Sequence, residues 1–197
     1  MRNLKIHLFY AYWTLLLLVL TNSWINATQS EQIILKNDLW TISISPFSLE
    51  LTAQPKDYNE FFLSSSQNGL GSPQNMKNTE TEAKWELPDK GISVAMELNE
   101  SDLSVQFRTS KHGEFTWPIV SKTQTLKALI WPRWEGCYIP LDDKRWTDYL
   151  IDSGKWNSLE GISMPFWGLD CGDYILTYII TNPYNNEIRF ISFNSKF

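Results

Sequence analysis

The chain has 197 residues, a formal net charge of -5, 20% charged residues and 14% aromatic residues, among them 10 Trp. The acidic balance, with no basic stripe in the sequence, excludes a nucleic-acid binder, which needs clustered Lys and Arg to release phosphate counterions. The aromatic content excludes disorder of the chain as a whole. With His7 and His112 as the only histidines, the usual zinc ligand sets cannot be assembled, and neither a metal nor a cofactor is expected.

The first element is a secretory signal. Arg2 and Lys5 give a positive start, an apolar stretch over residues 6–20 follows, and Thr21, Ser23 and Ala27 supply small residues for cleavage,. The apolar stretch of roughly fifteen residues falls short of the ~20 that a helix needs to cross a bilayer. The expected product is therefore secreted, and it is held at the cell surface only if the signal stays uncleaved. The signal is assigned to residues 1–27, and residues 28–197 are read as one domain, long enough to bury a core,. Asn26-Ala27-Thr28 and Asn99-Glu100-Ser101 match the N-glycosylation pattern, which matters only in a host that glycosylates exported proteins,.

Period-two alternation then predicts half-buried strands. Trp40, Ile42 and Ile44 form one series, and Phe47, Leu49 and Leu51 another beyond Pro46. Residues 54–81, rich in Ser, Asn, Gly and Pro, read as a long surface loop with Phe61, Phe62 and Leu63 tucked onto the core,. Strands are predicted again over 83–87, 92–98 and 103–107, with a hairpin turn at Asn99-Glu100-Ser101-Asp102. Further strands are expected over 115–120, 126–131, 137–141, 162–166, 174–180 and 187–193, the last two joined by a turn over 182–186. A single helix follows Asp142-Asp143, with Asp142 as its cap, Trp146, Tyr149 and Leu150 on one face and Gly154 at its end,. Many short strands with one short helix predict an all-β, antiparallel β-sandwich.

Six of the tryptophans, Trp117, Trp131, Trp134, Trp146, Trp156 and Trp167, fall between residues 117 and 167. An indole face stacks on the C–H face of a pyranose while carboxylates and Arg bind the hydroxyls, so the cluster marks a carbohydrate site or a tryptophan-filled core. The candidates for sugar contact are Trp131, Arg133, Trp134, Glu135, Asp142, Asp143, Trp146 and Trp167. Glycoside hydrolysis needs two carboxylates ~5 to 9.5 Å apart, and spacing in the sequence does not place any pair. The serine elbow Gly-x-Ser-x-Gly is absent and His112 is the only base available outside the signal,. No catalytic residue is assigned. Cys137 and Cys171 would be free to pair in an oxidising exterior, and two buried free thiols fit the same spacing,.

The segments Trp131-Pro132-Arg133-Trp134-Glu135-Gly136, Ile139-Pro140-Leu141-Asp142-Asp143-Lys144-Arg145-Trp146 and Ser163-Met164-Pro165-Phe166-Trp167-Gly168 carry a family resemblance. The chain resembles the N-terminal β-sandwich of large extracellular bacterial glycoside hydrolases related to the endo-α-N-acetylgalactosaminidases. That resemblance implies a galactose mutarotase-like supersandwich that precedes a catalytic (β/α)-barrel, packs against it and shapes its substrate cleft. It also implies that this chain, ending at Phe197, is truncated before that barrel and is inert alone. The alternatives are a sugar-binding or structural surface module and, without the histidines that sugar epimerisation ordinarily uses, a mutarotase- or lyase-type enzyme.

Overall fold

A computed structural model describes residues 32–120, 126–133, 135–153, 155–182, 184 and 186–190. The predicted signal, the Asn26-Ala27-Thr28 triplet and Trp134 lie outside them. The chain divides into two compact units at Ile119/Val120, where the sequence reads as one domain.

The first unit is two four-stranded antiparallel meanders. One contains β1 (Ile33–Lys36), β2 (Trp40–Ser45), β3 (Glu50–Pro55) and β4 (Phe61–Ser64), and the other β5 (Gln74–Asn78), β6 (Glu82–Leu87), β7 (Ile92–Leu98) and β8 (Leu103–Thr109). Both run in chain order because each connection is short enough to form a hairpin,. Alternation decides which face is buried. In β7, Ile92, Val94, Met96 and Leu98 are buried while Ser93 and Glu97 are exposed, and Ala83, Trp85 and Leu87 of β6 join them,. The first sheet buries Ile33, Leu35, Ile42, Ile44, Leu51, Ala53 and Phe61 in the same manner. The two sheets are tied by Lys36 N–H donating to Glu80 O at 2.6 Å and by Asn37 Nδ2 donating to Asn99 O at 2.6 Å. The Asn37 carboxamide oxygen also accepts from the N–H groups of Leu39 and Trp40, at 2.9 and 2.8 Å, and so turns β1 into β2,.

The period-two reading is correct for β2, β6, β7 and β8, and the 99–102 turn is closed by Asn99 N–H on Asp102 O at 2.9 Å. It fails at Phe47 and Leu49. These lie in the turn between β2 and β3, where Leu49 N–H reaches back to Ser45 O at 2.8 Å and Leu49 adopts φ 54° while fully buried. The predicted loop over 54–81 also carries β4 and β5. β5 is a polar edge strand held by its ladder to β6, so apolar alternation could not reveal it,. Residues 115–120 form no ladder among the described residues.

The second unit has a four-stranded antiparallel sheet in the order β10-β9-β12-β13. Its strands are β9 (Ala128–Trp131), β10 (Cys137–Pro140), β12 (Phe166–Asp170) and β13 (Ile175–Ile179). Helix α1 (Lys144–Ser153) and a two-stranded ribbon of β11 (Lys155–Asn157) with β14 (Glu187–Arg189) complete it. Leu129, Trp131, Ile139, Leu150, Trp156, Ile162, Leu169 and Cys171 form its buried core. The strand expected over 162–166 begins only at Phe166, and β14 pairs with β11 rather than with the preceding β13. The fold class is therefore all-β and antiparallel, with α1 the only helix among the described residues.

Candidate functional site

The second unit gathers most of the described candidates around the junction of β9, α1 and β11. Trp131 closes β9 with its side chain on the core face, 1% exposed, and its ring meets Trp156 edge-on at 5.8 Å and Phe190 at 5.1 Å. It is a core residue rather than a sugar platform. The indole N–H groups of Trp131 and Trp156 find no acceptor among the described residues, so neither ring is anchored through a hydrogen bond,.

From this buried pair the aromatic chain climbs toward solvent. Tyr149 lies 6.1 Å from Trp156, and half-buried Trp146 lies 6.0 Å from Tyr149 at an interplanar angle of 82°. Positions 146 and 149 are three apart on α1 and so share a face. Arg133, in the turn after β9, locks the group together. Its guanidinium carbon stands 4.2 Å above the Trp156 ring, and Nη1 donates to the Tyr149 hydroxyl at 2.9 Å. A hydroxyl oxygen that accepts from Arg133 keeps its own proton for an outside acceptor. Tyr149 is 42% exposed, so that proton is within reach of solvent.

The carboxylates divide by role. Asp143, not Asp142, caps α1: its Oδ1 accepts from Arg145 N–H at 3.1 Å, and its backbone oxygen accepts from Trp146 and Thr147 N–H, each at 3.1 Å,. The Arg145 guanidinium bonded to it holds the Asp143 carboxyl below its ordinary value, against the opposing effect of burial. Asp142 and Glu135 are exposed. On α1 the buried residues are Thr147 and Leu150, and Tyr149 faces outward more than the sequence suggests.

Trp167 belongs elsewhere. It is half-buried on β12 and stacked nearly parallel on Tyr178 of β13, 4.8 Å between centroids at 12°. Burial raises the Tyr178 phenol well above its ordinary value, so it stays protonated,. On the opposite face of this sheet, the Tyr138 hydroxyl donates to Asp170 Oδ2 at 2.7 Å and Gly172 N–H donates to Asp170 Oδ1 at 2.8 Å. The hydrogen bond from Tyr138 is the main cause of the lowered Asp170 carboxyl. Cys137 and Cys171 are not joined in a disulfide, and they are half-buried and buried respectively.

The structure thus unites Trp131, Arg133 and Trp146 through Tyr149 and Trp156, and it leaves Trp167 in a separate stack. Sequence reasoning missed Tyr149 and Trp156 as parts of the site. The signal for Tyr149 was its helical spacing from Trp146, while Trp156 is brought in only by the turn after α1. No family model, no curated protein and no solved structure matches the chain.

Proposed function

We propose that this chain is an exported, non-catalytic β-sandwich module of a carbohydrate-active protein, and that it contacts sugar through Trp146, Tyr149 and Arg133. The observation that carries the reading is the Arg133 clamp. It fixes an exposed tyrosine hydroxyl beside a half-buried indole, which supplies an apolar ring surface and an oriented hydrogen-bond donor together,. Exposed Glu135 and Asp142 lie close along the chain and offer acceptors for sugar hydroxyls. In the parent protein such a module would serve a catalytic barrel of the kind the resemblance implies, and would help to shape its cleft.

Calorimetric titration of the protein against a panel of mono- and oligosaccharides tests this. A saccharide that binds, and whose affinity falls at least ~10-fold in Tyr149→Ala without loss of the fold, supports the site; absence of binding across the panel removes it. Trp131→Ala serves as the contrast. It should cost about 3–5 kcal/mol of stability, the usual result of emptying a buried aromatic site. Export is tested independently by N-terminal sequencing of protein recovered outside the cell, with cleavage expected near Ser23 or Ala27.

A further inference from the structure

Among the described residues β13 forms one edge of the four-stranded sheet, with β12 as its neighbour. The ladder between them includes Cys171 N–H on Tyr174 O at 3.0 Å and Ile180 N–H on Pro165 O at 2.7 Å. In an antiparallel pair, hydrogen-bonded and non-bonded positions alternate. The backbone groups of Leu176 and Tyr178 therefore point into the sheet, and those of Ile175, Thr177 and Ile179 point away from it. Among the described residues none of these three outward positions has a hydrogen-bond partner.

Exposed edges of this kind are ordinarily blunted by lysine, proline, a bulge or a very short strand. Here the run Tyr174-Ile175-Leu176-Thr177-Tyr178-Ile179-Ile180 contains no charge, no proline and no glycine. The β12–β13 register also runs unbroken from Phe166↔Ile179 to Asp170↔Ile175. Ile175 and Ile179 are 61% and 68% exposed, and Thr177 is exposed between them.

The outward series reads Ile-Thr-Ile in both directions. We propose that β13 is a self-pairing edge, on which a second copy of this chain docks its own β13 antiparallel about a two-fold axis at Thr177. In that register Thr177 pairs with Thr177 of the second copy, and Ile175 pairs with Ile179 in both directions. Every outward N–H and C=O of the three positions is satisfied. Cross-strand threonine and β-branched pairs are favourable, and no like charges meet. The contact is isologous and closes at two copies, joining two four-stranded sheets into one of eight strands.

Five-residue strands at about 3.3 Å per residue make a short seam, below the ~1,200–2,000 Å² of a standard stable interface. The dimer is accordingly weak and concentration-dependent.

Sedimentation equilibrium on the full chain over a broad concentration range tests the register. The expected result is a mass that rises with concentration and levels off at two copies. Thr177→Lys alone and Thr177→Glu alone should each weaken association at least ~10-fold, because like charges then meet at the axis. An equimolar mixture of the two variants should restore it. The Thr177 side chain is exposed and its N–H faces away from β12, so near-ultraviolet circular dichroism should remain native in both variants. A mass that stays at one copy throughout, association that neither variant alters, growth past two copies, or a mixture that fails to recover would each overturn the proposal.

Discussion

The Arg133 guanidinium carbon stands 4.2 Å over the ring of Trp156, while its Nη1 donates to Tyr149 at 2.9 Å. A turn residue thereby bolts the end of β9 to both α1 and β11. A cation over an indole contributes about 0.5–1 kcal/mol where exposed and ~2 kcal/mol where desolvated. Arg133→Ala should lower the unfolding free energy by about 1–2 kcal/mol in urea titration. Arg133→Lys should recover part of the loss, since an ammonium keeps the charge without the planar fork.

The Asp143 cap makes a pH-dependent prediction. Its carboxyl lies below the ordinary value in the folded protein, chiefly through the side-chain bond from Arg145. A depressed folded value means that the stabilisation is complete above the unfolded value and is lost as pH falls through the folded one. The melting temperature of Asp143→Asn should fall below that of the native chain at neutral pH. The gap should narrow as the solution is acidified below the usual carboxylate range, and thermal melts at graded pH will measure it.

Leu49 combines two opposing effects. Its φ of 54° is unfavourable for a residue with a Cβ, yet its side chain is completely buried in the first unit,. Leu49→Ala keeps the backbone cost and removes the packing, so it should destabilise by about 2–5 kcal/mol. Leu49→Gly relieves the backbone and should therefore be no worse than alanine despite losing one more carbon. Chemical denaturation of the two variants gives the ordering.

The thiols should be distinguishable by reaction rate. Desolvation by burial raises the Cys171 thiol above its ordinary value, whereas Cys137 is only half-buried and its Sγ–H reaches Arg133 O at 3.7 Å. Because the thiolate is the reactive form, a disulfide-exchange reagent at mildly alkaline pH should label Cys137 before Cys171 in the folded protein. In denaturant both should react at one rate.

The sequence alone carries the all-β class, because alternation in β2, β6, β7 and β8 is a local property: a side-chain period of two needs one buried face and nothing else. It also determined the 99–102 hairpin turn and the helix after Asp142-Asp143. Which tryptophans are core and which form a rim is set by packing between elements distant in the chain. Trp131 and Trp146 are the same residue type, and their burial depends on which elements close over each. The structure also separated Trp167 from the others by stacking it on Tyr178, and set β14 against β11 instead of β13, since pairing between distant strands leaves no mark in either strand alone. The Asp143 cap in place of Asp142 turned on a single residue, which backbone geometry resolves and propensity does not. The polar edge β5 was hidden for the same reason: its place in the sheet comes from main-chain hydrogen bonds to β6, and main-chain groups are identical at almost every position in the sequence.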